Sequence, residues 1–165
     1  MAMTWDEVLA ATDAEVHSGK LRGNDTIPHI TTDTRKIAAG DLFIALRGEN
    51  FDGADFAADA LHKGAAAVLV NAPLSASVQK DLKKEKGTVL IVPDTLKAYQ
   101  EIAHAWRMKF DIPVVAITGS NGKTTTKDLT AAVLSGRGKV CRTAANYNNE
   151  VGLPLTLLSI TPEDT

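Results

Sequence analysis

Apolar positions along this chain follow two rhythms. Short unbroken apolar runs alternate with stretches of three- and four-residue period, the first suiting buried strands and the second amphipathic helices. Residues 41–46, 65–70 and 88–92 are runs of the first kind. Between the first two, residues 56–63 have helical spacing, and Gly64 stands where a helix should stop. Between the second two, residues 75–86 predict a lysine-rich helix with a solvated face. Asp94 then caps the strongest helix, whose Leu96, Tyr99, Ile102, Ala103 and Trp106 share one stripe, so Tyr99 and Trp106 read as core. Near the start, Thr4 and Glu7 have capping-box spacing and predict a short helix with Val8, Leu9 and Ala11 facing inward. Residues 19–34 are polar and turn-rich, and 47–53 read as a loop.

The pattern breaks at Asp111-Ile112-Pro113, which we take as a boundary between domains 1–110 and 111–165. Beyond it come a strand (114–118), a glycine loop, a helix (123–134), a glycine stop, a second strand (139–142), an asparagine-rich loop and a helix near 151–158. Strands alternating with helices place the chain in the α/β class with largely parallel sheets. Residues up to about Phe110 can enclose a core of their own. The second part has only two expected strands, whereas sheets usually have about five or six. It reads as the opening of a domain that packs incompletely by itself.

Composition narrows the function. The 165 residues are 44% hydrophobic and 23% charged, an ordinary globular balance. Eighteen Lys and Arg against twenty Asp and Glu give a net charge of −2, which argues against nucleic acid or an anionic membrane surface as partner. No apolar run approaches the ~20 residues that span a bilayer, and Asp6 and Glu7 stand where a signal peptide needs cations. The single cysteine, Cys141, suits a reducing, cytoplasmic setting and has no base nearby in sequence to make it a nucleophile. His17, His29, His62 and His104 share no metal-ligand spacing.

The strongest chemical signal begins at Val114, where a β-branched run leads into Gly119, Ser120, Asn121, Gly122, Lys123, Thr124 and Thr125. Glycines let successive N–H groups converge on phosphate oxygens, and a following helix adds its partial positive charge. Lys123 can bridge β- and γ-phosphates of ATP, and the Thr124 hydroxyl can ligate Mg²⁺ beside them. Ile117 stands where a full Walker loop has its first glycine, so this is the shorter G-x-x-G-K-T form. A dinucleotide-binding reading fails, because Asn121 and Thr124 occupy positions that would need glycine.

Residues 118–127 resemble the ATP loop of the Mur ligase family, which builds the peptide of bacterial cell-wall precursors. Two further stretches sharpen the resemblance. Thr32-Asp33-Thr34-Arg35, with 40–49 and 51–53, is similar to the family's N-terminal nucleotide-sugar domain, and 146–158 resembles the members that add D-alanyl-D-alanine. The resemblance implies a small UDP-substrate α/β domain followed by the start of a P-loop ATPase domain. It further implies an ATP- and Mg²⁺-dependent ligase acting on UDP-N-acetylmuramoyl-tripeptide and D-alanyl-D-alanine through an acyl phosphate, monomeric at full length. Catalytic roles then fall to Lys123 and Thr124. Substrate contacts fall to Thr34, Arg35, Arg47, Glu49, Asp52, Gly53, Asn146 and Asn149. Family members carry a C-terminal domain for the incoming dipeptide, so the chain reads as an N-terminal fragment, inactive alone.

Other readings stay open on the residues themselves. Thr34 and Arg35 suit an exposed turn with a local salt bridge, the 47–53 residues likewise, and clustered asparagines satisfy turn geometry with no ligand at all. Within the family, the amino-acid-adding third ligase or a folylpolyglutamate-type ligase shares the phosphate loop. Outside it stand a non-catalytic UDP-sugar or nucleotide-binding module and, more remotely, a small-molecule kinase.

Overall fold

The computed structural model of the chain describes residues 3–48, 51–144, 147 and 149–165. It divides into two compact units, Met1–Ile102 and Ala103–Thr165, each described by itself below.

The first unit is built on a five-stranded sheet. Strands β5 (Leu42–Ile44), β6 (Ala67–Asn71) and β7 (Thr88–Val92) pair in parallel, with Leu42 opposite Ala67 and Ala67 opposite Thr88. All three are nearly continuous apolar runs and are buried along almost their whole length, as strands covered on both faces must be. Alternation splits them. Phe43, Val68, Val70 and Val89 join a cluster with Ala57, Ala60 and Leu61 of α2 (Ala57–His62) and Val78 and Leu82 of α3 (Ala76–Leu82), while Leu42, Ile44, Leu69 and Leu90 point to the other face. β4 (Ile30–Thr31) extends the sheet in parallel beside β5. The expected helix at 75–86 is shorter than its pattern, and its Val78 and Leu82 are core rather than solvated.

Local signals account for the helix ends. Thr4 and Glu7 form both bonds of the capping box (Thr4 N to Glu7 Oε2 2.8 Å, Glu7 N to Thr4 Oγ1 3.3 Å) and start α1 (Trp5–Thr12). The inward residues of α1 are Trp5 and Val8, with Leu9 and Ala11 only half buried, because the helix rests on its first turn. Gly64, at φ 105°, closes α2 with Gly64 N on Leu61 O and Ala65 N on Ala60 O. At α4 (Thr95–Arg107) every early N–H is accounted for: Thr95 N donates to Asn71 Oδ1 (2.6 Å), and Leu96 N and Lys97 N to Asp94 Oδ1 (2.9 and 3.1 Å). Ala98 N then makes the first helical bond to Asp94 O.

Besides β4, three short strands lie where the pattern predicts turns or nothing. β1 (Met3–Thr4) pairs antiparallel with β3 (Thr26–Ile27), and β2 (Glu15–Ser18) adds to β7 as an antiparallel edge. Every residue of β2 is exposed, so no apolar alternation marks it; its bulge and charges suit a sheet edge.

The second unit departs further from expectation. Helices α5 (Lys123–Leu134) and α6 (Gly152–Leu158) form, but the expected strand at 114–118 does not: its residues are largely exposed and unpaired among the described residues. The expected strand at 139–142 reduces to one bridge, Lys139 with Asp164. Both segments have strand composition without a neighbouring strand to complete a ladder. Packing concentrates on Trp106, whose indole N–H donates to Ile160 O (3.1 Å) while its ring meets Phe110 edge-on at 5.1 Å. By contrast Val114, Val115, Leu129 and Val133 are all more than half exposed.

Amide exchange will divide the chain accordingly. Backbone N–H groups of 114–118 should exchange at near-unprotected rates, and those of β6 and β7 far more slowly, as measured by hydrogen–deuterium exchange. Equal protection in the two regions would contradict the absence of a ladder at 114–118.

Candidate functional site

Because β4 to β7 run in parallel, the chain leaves all four at one edge of the sheet, the carboxyl edge where α/β sheets place their ligands. Residues 32–35 follow β4, and 45–53 follow β5, so both expected substrate stretches belong to that edge. At the first, Asp33 caps a 3₁₀ turn (Thr34–Lys36) through Arg35 N (3.0 Å). The Arg35 guanidinium grips the same carboxylate with two bonds of 2.8 Å (Nε to Oδ1, Nη2 to Oδ2). These bonds hold the Asp33 carboxyl far below the usual carboxylate range and raise Arg35. Thr34 contributes its carbonyl, which accepts from Lys63 Nζ at 3.2 Å.

The second stretch is a closed loop. Gly53 N donates to Leu46 O (3.0 Å), Gly48 N to Phe51 O (2.9 Å), and Arg47 and Asp52 face each other as an antiparallel bridge. Arg47 Nε and Nη2 reach Asp52 Oδ2 at 3.0 and 2.7 Å, and Asp52 Oδ1 accepts from Ala54 N at 3.0 Å. Partial burial pushes the Asp52 carboxyl up, but the Ala54 N–H and the Arg47 guanidinium outweigh it and hold the group below its ordinary value. Each arginine is therefore held by a neighbouring carboxylate through two of its five N–H donors. Glu49 lies outside the described residues.

A cleft of about 490 Å³ opens beside the carboxyl end of β7, lined by Asp13, Glu15, Asp94, Lys97 and Glu101 over Ala72, Ile91 and Val92. None of the expected substrate residues lines it. Four carboxylates against one lysine suit it poorly to a diphosphate.

In the second unit the phosphate loop is laid out as its residue types require. Gly119 (φ 140°) and Gly122 (φ 78°, ψ 0°) take conformations reserved for glycine, and Gly122 delivers the chain into α5. The helix has no side-chain cap, and the N–H groups of Lys123, Thr124 and Thr125 have no acceptor among the described residues. A side chain at Gly122 would meet nothing within 4 Å, so this glycine serves backbone conformation rather than close packing. Lys123 Nζ folds back onto Gly119 O at 2.5 Å. Ser120, Asn121, Thr124 and Thr125 are exposed, and the Thr124 hydroxyl has no hydrogen-bond partner among the described residues. An uncapped helix end with a glycine loop and a lysine is an anion site in its chemistry. Among the described residues no three acidic, histidine or cysteine side chains gather to hold a metal. Mg²⁺ in phosphate sites takes few protein ligands beside phosphate and water, so one free hydroxyl fits that role.

Asn149 has a local occupation: its Oδ1 accepts from Gly152 N (2.7 Å) and its carbonyl from Leu153 N (3.0 Å), opening α6. Asn146 lies outside the described residues. Sequence reasoning passed over Asp33, which holds Arg35, and the pair Asn71 and Thr95. Thr95 donates through its hydroxyl to Ala45 O (2.9 Å) while its N–H meets Asn71. The available signal was a buried threonine directly after a helix-capping Asp94.

Comparison with known proteins gives a consistent family. The model described as "Mur ligase family, catalytic domain" matches residues 26–107, and "Mur ligase middle domain" matches 117–165. The UDP-N-acetylmuramoyl-tripeptide--D-alanyl-D-alanine ligase of Synechocystis sp. is 52% identical over 137 residues, which are 83% of this chain and 29% of that protein. A crystal structure of MurF from Acinetobacter baumannii superposes with a TM-score of 0.87 at 32% identity, covering 99% of this chain and 34% of that one. MurF ligase from Thermotoga maritima, solved in complex with ADP, matches with a TM-score of 0.69 at 31% identity over 82% of this chain and 30% of its own. The chain thus spans about a third of the length of the relatives it matches.

The Arg47–Asp52 clamp makes the loop pH-sensitive on its acid side. Asp52 titrates lower folded than unfolded, so its contribution is full above about pH 4 and is lost as pH falls through the folded value. The Ala54 and Gly53 amides should lose protection over that acid window in the native protein, and Asp52→Asn should remove the dependence. NMR-detected exchange checks this; a pH-independent loop would refute the clamp.

Proposed function

The chain belongs to the Mur ligase family, and on that premise we propose that it supplies the UDP-substrate domain and the phosphate loop of a UDP-N-acetylmuramoyl-tripeptide–D-alanyl-D-alanine ligase. The observation that carries the reading is the uncapped start of α5, where Lys123, Thr124 and Thr125 offer an anion three free N–H groups, joined by the Lys123 ammonium and the Thr124 hydroxyl. In this reading residues 1–110 hold the UDP-linked peptide, and 111–165 open the ATP-binding domain. Within the second unit, the Arg107 guanidinium donates to Phe110 O (2.5 Å) and Ile112 O (2.7 Å) and fixes the local backbone there. The reaction belongs to the cytoplasm; no helix among the described residues is long and apolar enough to cross a membrane.

The chemistry suits these groups. A carboxylate is a poor electrophile, so ATP transfers its γ-phosphoryl group to the terminal carboxylate of the tripeptide. The amine of D-alanyl-D-alanine then attacks the acyl carbon, and phosphate leaves. Phosphoryl transfer needs mainly positioning and charge neutralisation. Lys123 exchanges its bond to Gly119 O for the β- and γ-phosphate oxygens, and the N–H groups of the first turn of α5 receive the remaining charge. Mg²⁺, when bound, adds neutralisation beside the phosphates, and Thr124 is the residue that would hold it. On the substrate edge, Arg35 and Arg47 turn their spare N–H donors toward the diphosphate, with Thr34 and Gly53 shaping the approach. Asn149 positions the start of α6 rather than contacting substrate directly.

Two measurements test this. In the full-length ligase, Lys123→Ala should lower kcat on the order of 10²–10³-fold, the usual loss when one fixed charge-stabilising donor is removed, and wild-type turnover would remove the loop from the mechanism. In the 165-residue chain, calorimetric titration should detect UDP and register ATP only weakly, since the loop supplies phosphate contacts and no adenine pocket. Tight ATP binding with no response to UDP would overturn the assignment of the first unit.

A further inference from the structure

We propose that Thr95 is a positioning residue that sets Arg47, Asp52 and Gly53 for their ligand by gripping a single peptide plane; this rests on the reading of those residues as part of the UDP-substrate edge. The Ala45–Leu46 peptide stands at the carboxyl end of β5, where the sheet stops and the loop begins. Ala45 N is still in the sheet, on Leu69 O at 2.9 Å. Ala45 O is not; it accepts from the Thr95 hydroxyl at 2.9 Å in a fully buried bond. Gly53 closes over the same plane. A Cβ there would lie 2.8 Å from both Ala45 C and Leu46 N and closer still to Leu46 O, distances no real side chain tolerates.

The peptide unit is rigid, so fixing its oxygen fixes the direction of Leu46. Leu46 O is the acceptor for Gly53 N, the bond that shuts the loop and sets Arg47 opposite Asp52. Thr95 is itself fixed from two sides. It is the first residue of α4, and Asn71 Oδ1, at the end of β6, accepts its N–H at 2.6 Å. Thr95 therefore links the end of β5 through its hydroxyl and the end of β6 through its N–H to the start of α4. The residue is 1% exposed, so no water replaces its hydroxyl if that is removed.

The test compares Thr95→Val and Thr95→Ser in the whole 165-residue chain. Valine keeps the shape and removes the donor, leaving Ala45 O buried and unpaired; serine keeps the donor. Thr95→Val should speed amide exchange at Gly48 and Gly53 by about 10–100-fold, as expected for a lost buried bond, with Leu69 and Leu90 unchanged. UDP affinity should fall about tenfold, and Thr95→Ser should restore both. Unchanged exchange at Gly53 in Thr95→Val, or equal effects of valine and serine, overturns the proposal. If valine loosens Leu69 and Leu90 as well, Asn71→Ala decides: selective loss at Gly53 supports the linkage, and unaltered protection there overturns it. Failure of the wild-type chain to bind UDP would sink the substrate reading alone, because the exchange measurement still decides the role of Thr95.

Discussion

A strand holds its shape only when a neighbour takes up its N–H and C=O groups, and the two halves of this chain differ mainly in how far that requirement is met. In the first unit β6 has β5 on one side and β7 on the other, in continuous parallel register. The apolar runs are then covered on both faces, and the helices follow from what must cover them. In the second unit residues 114–118 carry an equally good strand sequence and have no ladder partner among the described residues. Their valines stay exposed, and so do Leu129 and Val133 on the helix that would cover a sheet. One unmet pairing thus explains both an absent strand and a bare helix face.

The same contrast sets what could be read from the sequence. Where burial and local capping agree, as at Thr4 and Glu7, Gly64, or the stripe of α4, the pattern predicts the element, because short-range physics suffices. Where an element depends on a distant partner, it does not. β2 exists because β7 offers it an edge, and nothing in Glu15–Ser18 shows that locally. The backbone of the candidate phosphate loop was legible, since its glycines and the start of α5 follow one another along the chain, whereas the strand expected to lead into it does not form. The carboxyl edge of the sheet was legible in part. Arg35, Arg47 and Asp52 are visible in sequence, with a local salt bridge at each turn as one reading, but which carboxylate holds each arginine is set by geometry.

Those ion pairs change how a diphosphate would be recognised. A free arginine attracts any anion, and its flexible side chain must be ordered at binding. Arg35, gripped bidentately, and Arg47, clamped across its loop, have already lost much of that freedom in the folded chain. Their net charge is cancelled locally, so long-range attraction is weak, and recognition shifts to the direction of the remaining N–H donors. Such an edge would discriminate between anions by shape more than by charge.

The phosphate loop works by the opposite balance. Lys123 is partly exposed and bonded to Gly119 O, and the first N–H groups of α5 have no internal acceptor. A phosphate entering here displaces one neutral-acceptor bond and supplies a charged acceptor to several donors at once, so the exchange favours anions strongly over neutral ligands. Gly119 and Gly122 make this possible by holding a backbone that other residues would strain. The loop therefore depends little on the rest of its unit for conformation, and it keeps its geometry in a unit with no strand ladder among its described residues. What a sheet would add is rigidity beneath the loop, so that an anion bound there is held in one position.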